Sequence, residues 1–275
     1  MTEINEFLKQ RDEDVRWNLR TPVGIIDSDI FPDLDDLLLE KRRWVRIRDV
    51  VAVAVDLKNS TMLDFRRQAR TSTRLYEAVI GNCVAITKNF QADFVDIQGN
   101  GLFALYYGDR AQERAMAASI TLKTFSQRSI VPRIGEVMDE RFPKTGLKTG
   151  MSAGVLVVKK VGKRNNNEPV WAGKPVNWAA KCAQKADASE LIVTESVYSK
   201  FEHNDYVRFS CGCEGGTYVG NFSDLWKPVV VETLPDSTIR CMRLTSGWCE
   251  NHGDKFCGAI LEGKPDRPEM QWSTY

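Results

Sequence analysis

Residues 94–107 read FVDIQGNGLFALYY, two alternating apolar runs joined at Gly99-Asn100-Gly101. Apolar side chains at every second position predict half-buried strands, and the GNG between them predicts the tight turn of a β-hairpin. Upstream, residues 48–61 read RDVVAVAVDLKNST. The Val/Ala run has the pattern of a buried central strand; it ends at Asp56, and Ser60 or Thr61 can cap the helix that follows. In that helix Leu75, Tyr76, Val79, Ile80, Cys83, Val84 and Ile86 recur at helical spacing. Downstream of the hairpin a second amphipathic helix is predicted from about residue 111 to 125. A strand follows at KTGMSAGVLVVKKVG (148–162), a polar loop at KRNNNEP, and a helix at VNWAAKCAQKA (176–186). ELIVTESVYSKF (190–201) adds a short strand and a short helix. The order β-α-β-β-α-β is the ferredoxin-like unit, so the predicted class is α+β, a mostly antiparallel sheet flanked by helices.

The chain has 275 residues, with 38 Lys and Arg against 37 Asp and Glu. That balance gives no electrostatic case for nucleic acid or a membrane surface as a partner. No apolar run approaches the roughly 20 residues that span a bilayer. The first twenty residues are charged throughout and lack a signal-peptide core, so a cytoplasmic location is expected. Three stretches are distinguished: an N-terminal arm (1–46) with a short helix expected at FPDLDDLLLEKRR, a main domain (47–204), and a β-patterned C-terminal extension (205–275) packed on that domain.

Asp56 is the feature with chemical potential. A carboxylate at the end of a buried strand is a natural ligand for hard cations, and the N–H groups of the capping turn LKNST attract phosphate. The plainer reading is a cap or turn residue. In a β-α-β-β fold the hairpin lies beside the first strand, so Asn100 would approach Asp56. Two carboxylates there would hold a pair of divalent cations about 3.5–4 Å apart, an arrangement suited to in-line attack at phosphorus. Asn offers only a neutral carbonyl oxygen.

The four segments VAVAVDLKNST, DIQGNGLFALY, GMSAGVLVVKKVG and VWAGKPVNWAAKCAQKA, in this order, resemble the catalytic domain of class III nucleotidyl cyclases. The resemblance spans about residues 48–200 and leaves out both extensions. It implies that Asp56 and the carbonyl of Leu57 bind Mn²⁺ or Mg²⁺, two per site, and that Lys58, Asn59, Ser60 and Thr61 hold the triphosphate through backbone N–H groups. It puts Asn100 where the second metal aspartate belongs, Asn177 where the ribose is oriented, and Lys181 where an arginine offsets charge on the α-phosphate. Lysine keeps that charge without the bidentate fork. In this family the metal residues and the Asn/Arg helix come from different protomers, so a homodimer with two shared sites is implied.

The departures narrow the substrate. Adenylate cyclases read their base with a lysine three residues before the hairpin glycine and an aspartate three residues before the glycine of the Asn/Arg helix. Asp96 and Val170 stand there. Asp96 could accept from an exocyclic amine or ring N–H, or face solvent on an edge strand. A class III-like chain without the purine-reading residues resembles the pyrimidine cyclases of Pycsar antiphage defence. These make cyclic UMP or cyclic CMP, which acts on a separate cyclic-nucleotide-responsive effector. UTP is favoured and CTP is left open. The competing expectations are a degenerate cyclase-fold module that binds nucleotide without turnover, and a purine cyclase with unusual base contacts. Asp and Asn are nearly isosteric, so Asn100 also reads as a substitution introduced to trap an inactive complex.

Five of the seven cysteines, Cys211, Cys213, Cys241, Cys249 and Cys257, lie in the last quarter of the chain. Cys211, Cys213, Cys249, His252 and Cys257 are of the types that hold structural zinc. Against that, C-x-C is not the usual C-x2–4-C spacing, and a reduced β-subdomain can carry buried thiols.

Overall fold

The computed structural model describes residues 3–37, 42–61, 69–137, 144–163, 166–214, 217–236 and 238–271. The chain forms two compact units: Met1–Ile47 with Val157–Trp171, and Arg48–Leu156 with Ala172–Tyr275.

The helices and strands follow in chain order. Helix α1 (Ile4–Arg20) leads to strand β1 (Gly24–Ser28) and the long strand β2 (Arg43–Leu57). Next come α2 (Ala69–Asn89), β3 (Phe94–Gln98), β4 (Gly101–Tyr106) and α3 (Ala111–Phe125). A π-helical turn (Ser126–Ile130) joins α3 to α4 (Val131–Val137). Then follow β5 (Leu147–Lys163), β6 (Asn166–Gly173), α5 (Lys174–Lys185), β7 (Glu190–Thr194), α6 (Glu195–Phe201) and α7 (Asp205–Arg208). The C-terminal segment carries β8 (Cys213–Glu214), β9 (Thr217–Tyr218), β10 (Trp226–Val229), β11 (Cys241–Leu244), α8 (Gly253–Leu261) and α9 (Pro268–Gln271).

The larger unit is built on the strand order β10-β11-β7-β5-β2-β4-β3. Its middle, β5-β2-β4-β3, is the ferredoxin-like arrangement expected from the sequence. β2 lies between two neighbours, which is why Val50, Val51, Ala52, Val53 and Val55 are all buried. The second helix differs from its expected amphipathic form. Ala115, Met116, Ala117, Ala118, Ile120 and Leu122 of α3 are all buried, so it is covered nearly all round. Small alanines let it lie close to the sheet on one side and to α8 on the other. Cys83 is fully buried on α2, and burial pushes its thiol up to about 12, so it packs as a small hydrophobe.

In the smaller unit β1 runs parallel to the first part of β2, from Gly24↔Arg43 to Ser28↔Ile47. The short helix expected at residues 31–43 is absent from its described part. Residues 31–37 form turns, Asp33 accepting from the N–H of Asp35, and Arg43 already belongs to β2. Residues 38–41 of that segment lie outside the described residues. The helix of this region is α1, whose apolar residues Ile4, Phe7, Leu8, Val15 and Leu19 recur at helical spacing but all stay exposed. The expected polar loop at residues 163–169 is also shorter than read, because Asn166–Gly173 forms β6 against β5. The C-terminal extension keeps its strands but adds α8, whose Phe256, Ala259 and Ile260 enter the main core.

Candidate active site at the end of the central hairpin

β2 and β4 are antiparallel with Val55 opposite Leu102 and Asp56 opposite Gly101, so the strand register brings the hairpin tip to Asp56. The turn has positive φ at Gly99 (61°) and not at Asn100. That is the signature of a type II′ turn, which asks for glycine at its first central position. Gly101 serves a second need: a Cβ there would lie 2.2 Å from the carbonyl oxygen of Val55. Bare backbone lets the two strands close at this point.

Three oxygens converge on the side-chain nitrogen of Asn100. It donates to Asp56 Oδ1 at 2.5 Å, to Ser60 Oγ at 2.8 Å and to the Leu57 carbonyl at 3.3 Å. An amide has only two N–H hydrogens, so the three acceptors compete for two donors. The other carboxylate oxygen of Asp56 receives the ammonium of Lys148 at 2.6 Å. Both members of this ion pair are largely shielded, with side chains 15% and 33% exposed for Lys148 and Asp56. Lys148 was not singled out from sequence. Its only signal was a cation at the start of a strand whose next ten residues, 149–158, are all small or apolar.

The turn after Asp56 is held by backbone and side-chain bonds. Lys58 donates its N–H to the Gly146 carbonyl at 3.0 Å, and its own carbonyl accepts from Thr145 Oγ1 at 2.7 Å. Asn59 takes a positive φ of 59° and donates to the Lys144 carbonyl at 2.8 Å. The Lys58 ammonium is paired with Asp187. That bond, aided by the Ala188 N–H, holds the Asp187 carboxyl below its usual range. Ser60 is buried and Thr61 is exposed.

Across from the hairpin, Val176, Ala180, Ala183 and Gln184 of α5 face Asp56, Gly101 and Phe103 over a shallow pocket. Asn177 and Lys181 are not in that lining: they occupy the adjacent stripe of α5, with Asn177 exposed and Lys181 half-buried. Among the described residues no hydrogen bond joins either of them to Asp56 or Asn100. Asp96 is half-buried on the edge strand β3, where its carboxylate accepts from Gln98 Nε2 at 3.1 Å. Val170 lies on β6 of the smaller unit and is 41% exposed.

The donor set at the hairpin is chemically consistent with a hard divalent cation, since every acceptor meeting there is an oxygen. Asp56 and the Leu57 carbonyl are placed to hold it. Asn100 would contribute its carbonyl oxygen after its amide turns over.

The C-terminal cysteines divide. Donor atoms of Cys211, Cys213, Cys249 and His252 lie within 4.8 Å of one another. Cys257 does not belong to that group; it sits further along α8, where burial raises its thiol.

No family model matches the chain. A uridylate cyclase of Micromonospora echinofusca is 41% identical, over 98% of this chain and 88% of its own. Another uridylate cyclase, from Propioniciclava tarda, is 40% identical over 82% of this chain and 72% of its own. Among solved structures, the adenylyl cyclase CyaB of P. aeruginosa superposes with a TM-score of 0.56 at 13% identity, covering 73% of this chain and 95% of that one. The guanylate cyclase domain of RhGC from Catenaria anguillulae, in complex with GTP, gives 0.54 at 13% identity, covering 74% and 98%. At such low identity these two establish the fold, which is that of class III cyclases. No described helix is long and apolar enough to cross a membrane. With two relatives at or above 40% identity over most of its length, the chain belongs to the uridylate cyclase family.

Proposed function

We propose that the chain cyclises UTP to 3′,5′-cyclic UMP with release of pyrophosphate, at two sites shared between the protomers of a homodimer. The observation that carries this is the convergence of the Asp56, Leu57 and Ser60 oxygens on one point at the hairpin tip. The 3′-oxygen of the ribose forms a bond to the α-phosphorus, the bond to pyrophosphate breaks, and the 3′ proton leaves to solvent. Mn²⁺ or Mg²⁺, two per site, would be held by Asp56, the Leu57 carbonyl and Asn100, and would supply charge neutralisation and a lowered pKa at the attacking hydroxyl.

The chain's own residues do the rest. Asp56, Leu57 and Asn100 form the metal-binding end. The backbone from Lys58 to Thr61 receives the triphosphate, with Lys58 released from Asp187 to do so. The outward-facing Asn177 and Lys181 serve the partner's site, orienting the ribose and offsetting charge on the α-phosphate. Asp96 accepts from the uracil N3–H, and Val170 packs on the pyrimidine. The product acts on a separate effector in antiphage defence, and the enzyme works in the cytoplasm. CTP is the second candidate substrate, since Asp96 would accept equally from its exocyclic amine.

The test is a panel of ATP, GTP, CTP and UTP, each incubated with purified protein and Mn²⁺, with products identified by mass. Cyclic UMP as the main product supports the proposal. Cyclic AMP or cyclic GMP as the main product overturns the substrate assignment.

A further inference from the structure

We infer that Cys211, Cys213, Cys249 and His252 form a tetrahedral zinc site that pins the C-terminal segment to the back of the catalytic domain. The sulfurs of Cys211 and Cys213 are 3.0 Å apart, those of Cys213 and Cys249 3.6 Å, and Cys249 Sγ is 3.6 Å from His252 Nδ1. Four ligands around zinc, with Zn–S near 2.3 Å and Zn–N near 2.0 Å, are separated by about 3.5–3.8 Å along the edges of the tetrahedron. The Cys213–Cys249 and Cys249–His252 spacings match that polyhedron, and the Cys211–Cys213 pair, at 3.0 Å, would open by about 0.7 Å to take the metal. A disulfide accounts for it poorly, because three thiols meet and one bond would strand the third. Packing alone does not account for it either: the packing thiol Cys83 is fully buried, whereas all four residues here are only partly covered.

The backbone prepares the ligands from two directions. Between Cys211 and Cys213, Gly212 takes a φ of 68° and lies against the Phe222 ring, where a Cβ would come within 2.8 Å of it. This tight turn aims two successive cysteines at one point despite their C-x-C spacing. Arg267, 1% exposed, fixes the turn by donating to the Ser210 carbonyl at 2.7 Å and the Cys211 carbonyl at 3.0 Å. Its guanidinium also sets a positive charge beside a centre of three thiolates and one Zn²⁺, whose net charge is negative. From the other direction, Cys249 and His252 lie on one turn entering α8, closed by the Gly253 N–H on the Cys249 carbonyl at 2.8 Å. The N–H groups of Asn251 and His252 point at the Cys249 sulfur, as outer-shell donors to a thiolate ligand do.

The site's place in the fold gives it a structural task. Trp248, next to Cys249, donates from Nε1 to Thr121 Oγ1 and from its backbone to Thr124 Oγ1, both at 2.9 Å on α3. Zinc would close the loop between Cys213 and Cys249 and fix the start of α8 on α3, which lies behind the central sheet.

The experiment uses the full chain, expressed with zinc and purified under reducing conditions, with metal counted by mass spectrometry. The expected result is about one zinc per chain, kept in Cys257→Ser and lost in the double variant Cys213→Ser/Cys249→Ser. Because the double variant can lose zinc by failing to fold, cobalt substitution of the unaltered chain gives an independent readout. Co²⁺ should produce thiolate charge-transfer bands and the intense d–d bands of a tetrahedral centre, both abolished by added Zn²⁺. His252→Cys should retain the metal and shift those bands toward an all-sulfur spectrum. Less than about one zinc in ten chains with no tetrahedral cobalt spectrum overturns the inference, as does full zinc retention in the double variant.

Discussion

The side-chain nitrogen of Asn100 lies 2.5 Å from Oδ1 of Asp56, and the Lys148 ammonium lies 2.6 Å from Oδ2 of the same carboxylate. Two nitrogen donors therefore cover the one acid at the hairpin tip. One is neutral, an amide at a position where a carboxylate would add a second negative charge. The other is a cation supplied by the neighbouring strand β5. Together they satisfy Asp56 by the same kind of contact that a bound divalent ion would make.

Lys148 should compete with metal in the nucleotide-free protein. Replacing it with methionine keeps the stem and removes the charge. A shielded ion pair of this kind is worth about 1 kcal/mol, so Mn²⁺ affinity by calorimetry should rise about fivefold in Lys148→Met. Unchanged or weaker binding would show that Lys148 does not oppose the cation.

The close approaches around the site leave little tolerance. At Gly150 a Cβ would lie 2.0 Å from the Ala179 carbonyl and 2.4 Å from the Ala183 nitrogen, so β5 and α5 meet backbone to backbone. Gly150→Ala and Gly101→Ala should each cost about 1–3 kcal/mol in urea melts. Gly101→Ala should also weaken Mn²⁺ binding, because its added methyl meets Val55 and Asp56. Gly81→Ala, with open space around its Cβ on α2, is the control and should be neutral or mildly stabilising.

A buried lysine gives the protein a pH signature remote from the metal. Lys123 is 2% exposed on α3 and donates to the Ser189 carbonyl at 2.6 Å. Burial lowers its pKa from 10.5 to about 8, against the opposing pull of Glu190. Between those values the unfolded chain holds the proton more tightly, so stability must rise as pH goes up through that window. Below it, the full cost of burying the charge remains. From pH 7.5 to 9.5 the unaltered chain should gain about 1–3 kcal/mol relative to Lys123→Met, read from paired urea melts. Parallel curves would place Lys123 in a solvated setting.

Shared sites make a prediction that a self-contained site does not. In chains carrying Asn100→Asp, Asp56→Asn and Lys181→Ala should each silence turnover alone. Mixed in equal parts and allowed to exchange, half of the dimers carry one intact site, so about a quarter of the parent activity should return. A silent mixture would place Asp56 and Lys181 in one protomer's site or remove Lys181 from the chemistry.

The sequence made some of these relationships legible and hid others for physical reasons. The hairpin, the buried strand ending at Asp56 and helix α5 carry strong local periods, and each formed within a few residues of its expected bounds. Lys148 escaped although the expected strand order places β5 beside β2, because the register that sets its ammonium against Asp56 is not written in either strand. α1 escaped because its stripe of Ile4, Phe7, Leu8, Val15 and Leu19 is broken by the charged Arg11 and Asp12 in its middle, and the density of charge around it hid the period. For the cysteines, residue type left a zinc site and buried reduced thiols both open, and spacing could not say which of the five side chains meet. Only the turn at Gly212 and the entry to α8 separate Cys211, Cys213, Cys249 and His252 from Cys257.

The central claim is that the hairpin tip is a metal-dependent cyclase site short of one negative charge. Restoring that charge with Asn100→Asp, in a turn whose positive φ falls on Gly99 and not on residue 100, should leave the fold unchanged. The decisive measurement is the rate of cyclic UMP formation from UTP and Mn²⁺ in that variant beside the unaltered chain and Asp56→Asn. The account predicts a rise of about 100-fold or more for Asn100→Asp and no product from Asp56→Asn. No cyclic nucleotide from Asn100→Asp with any of the four nucleoside triphosphates would contradict it.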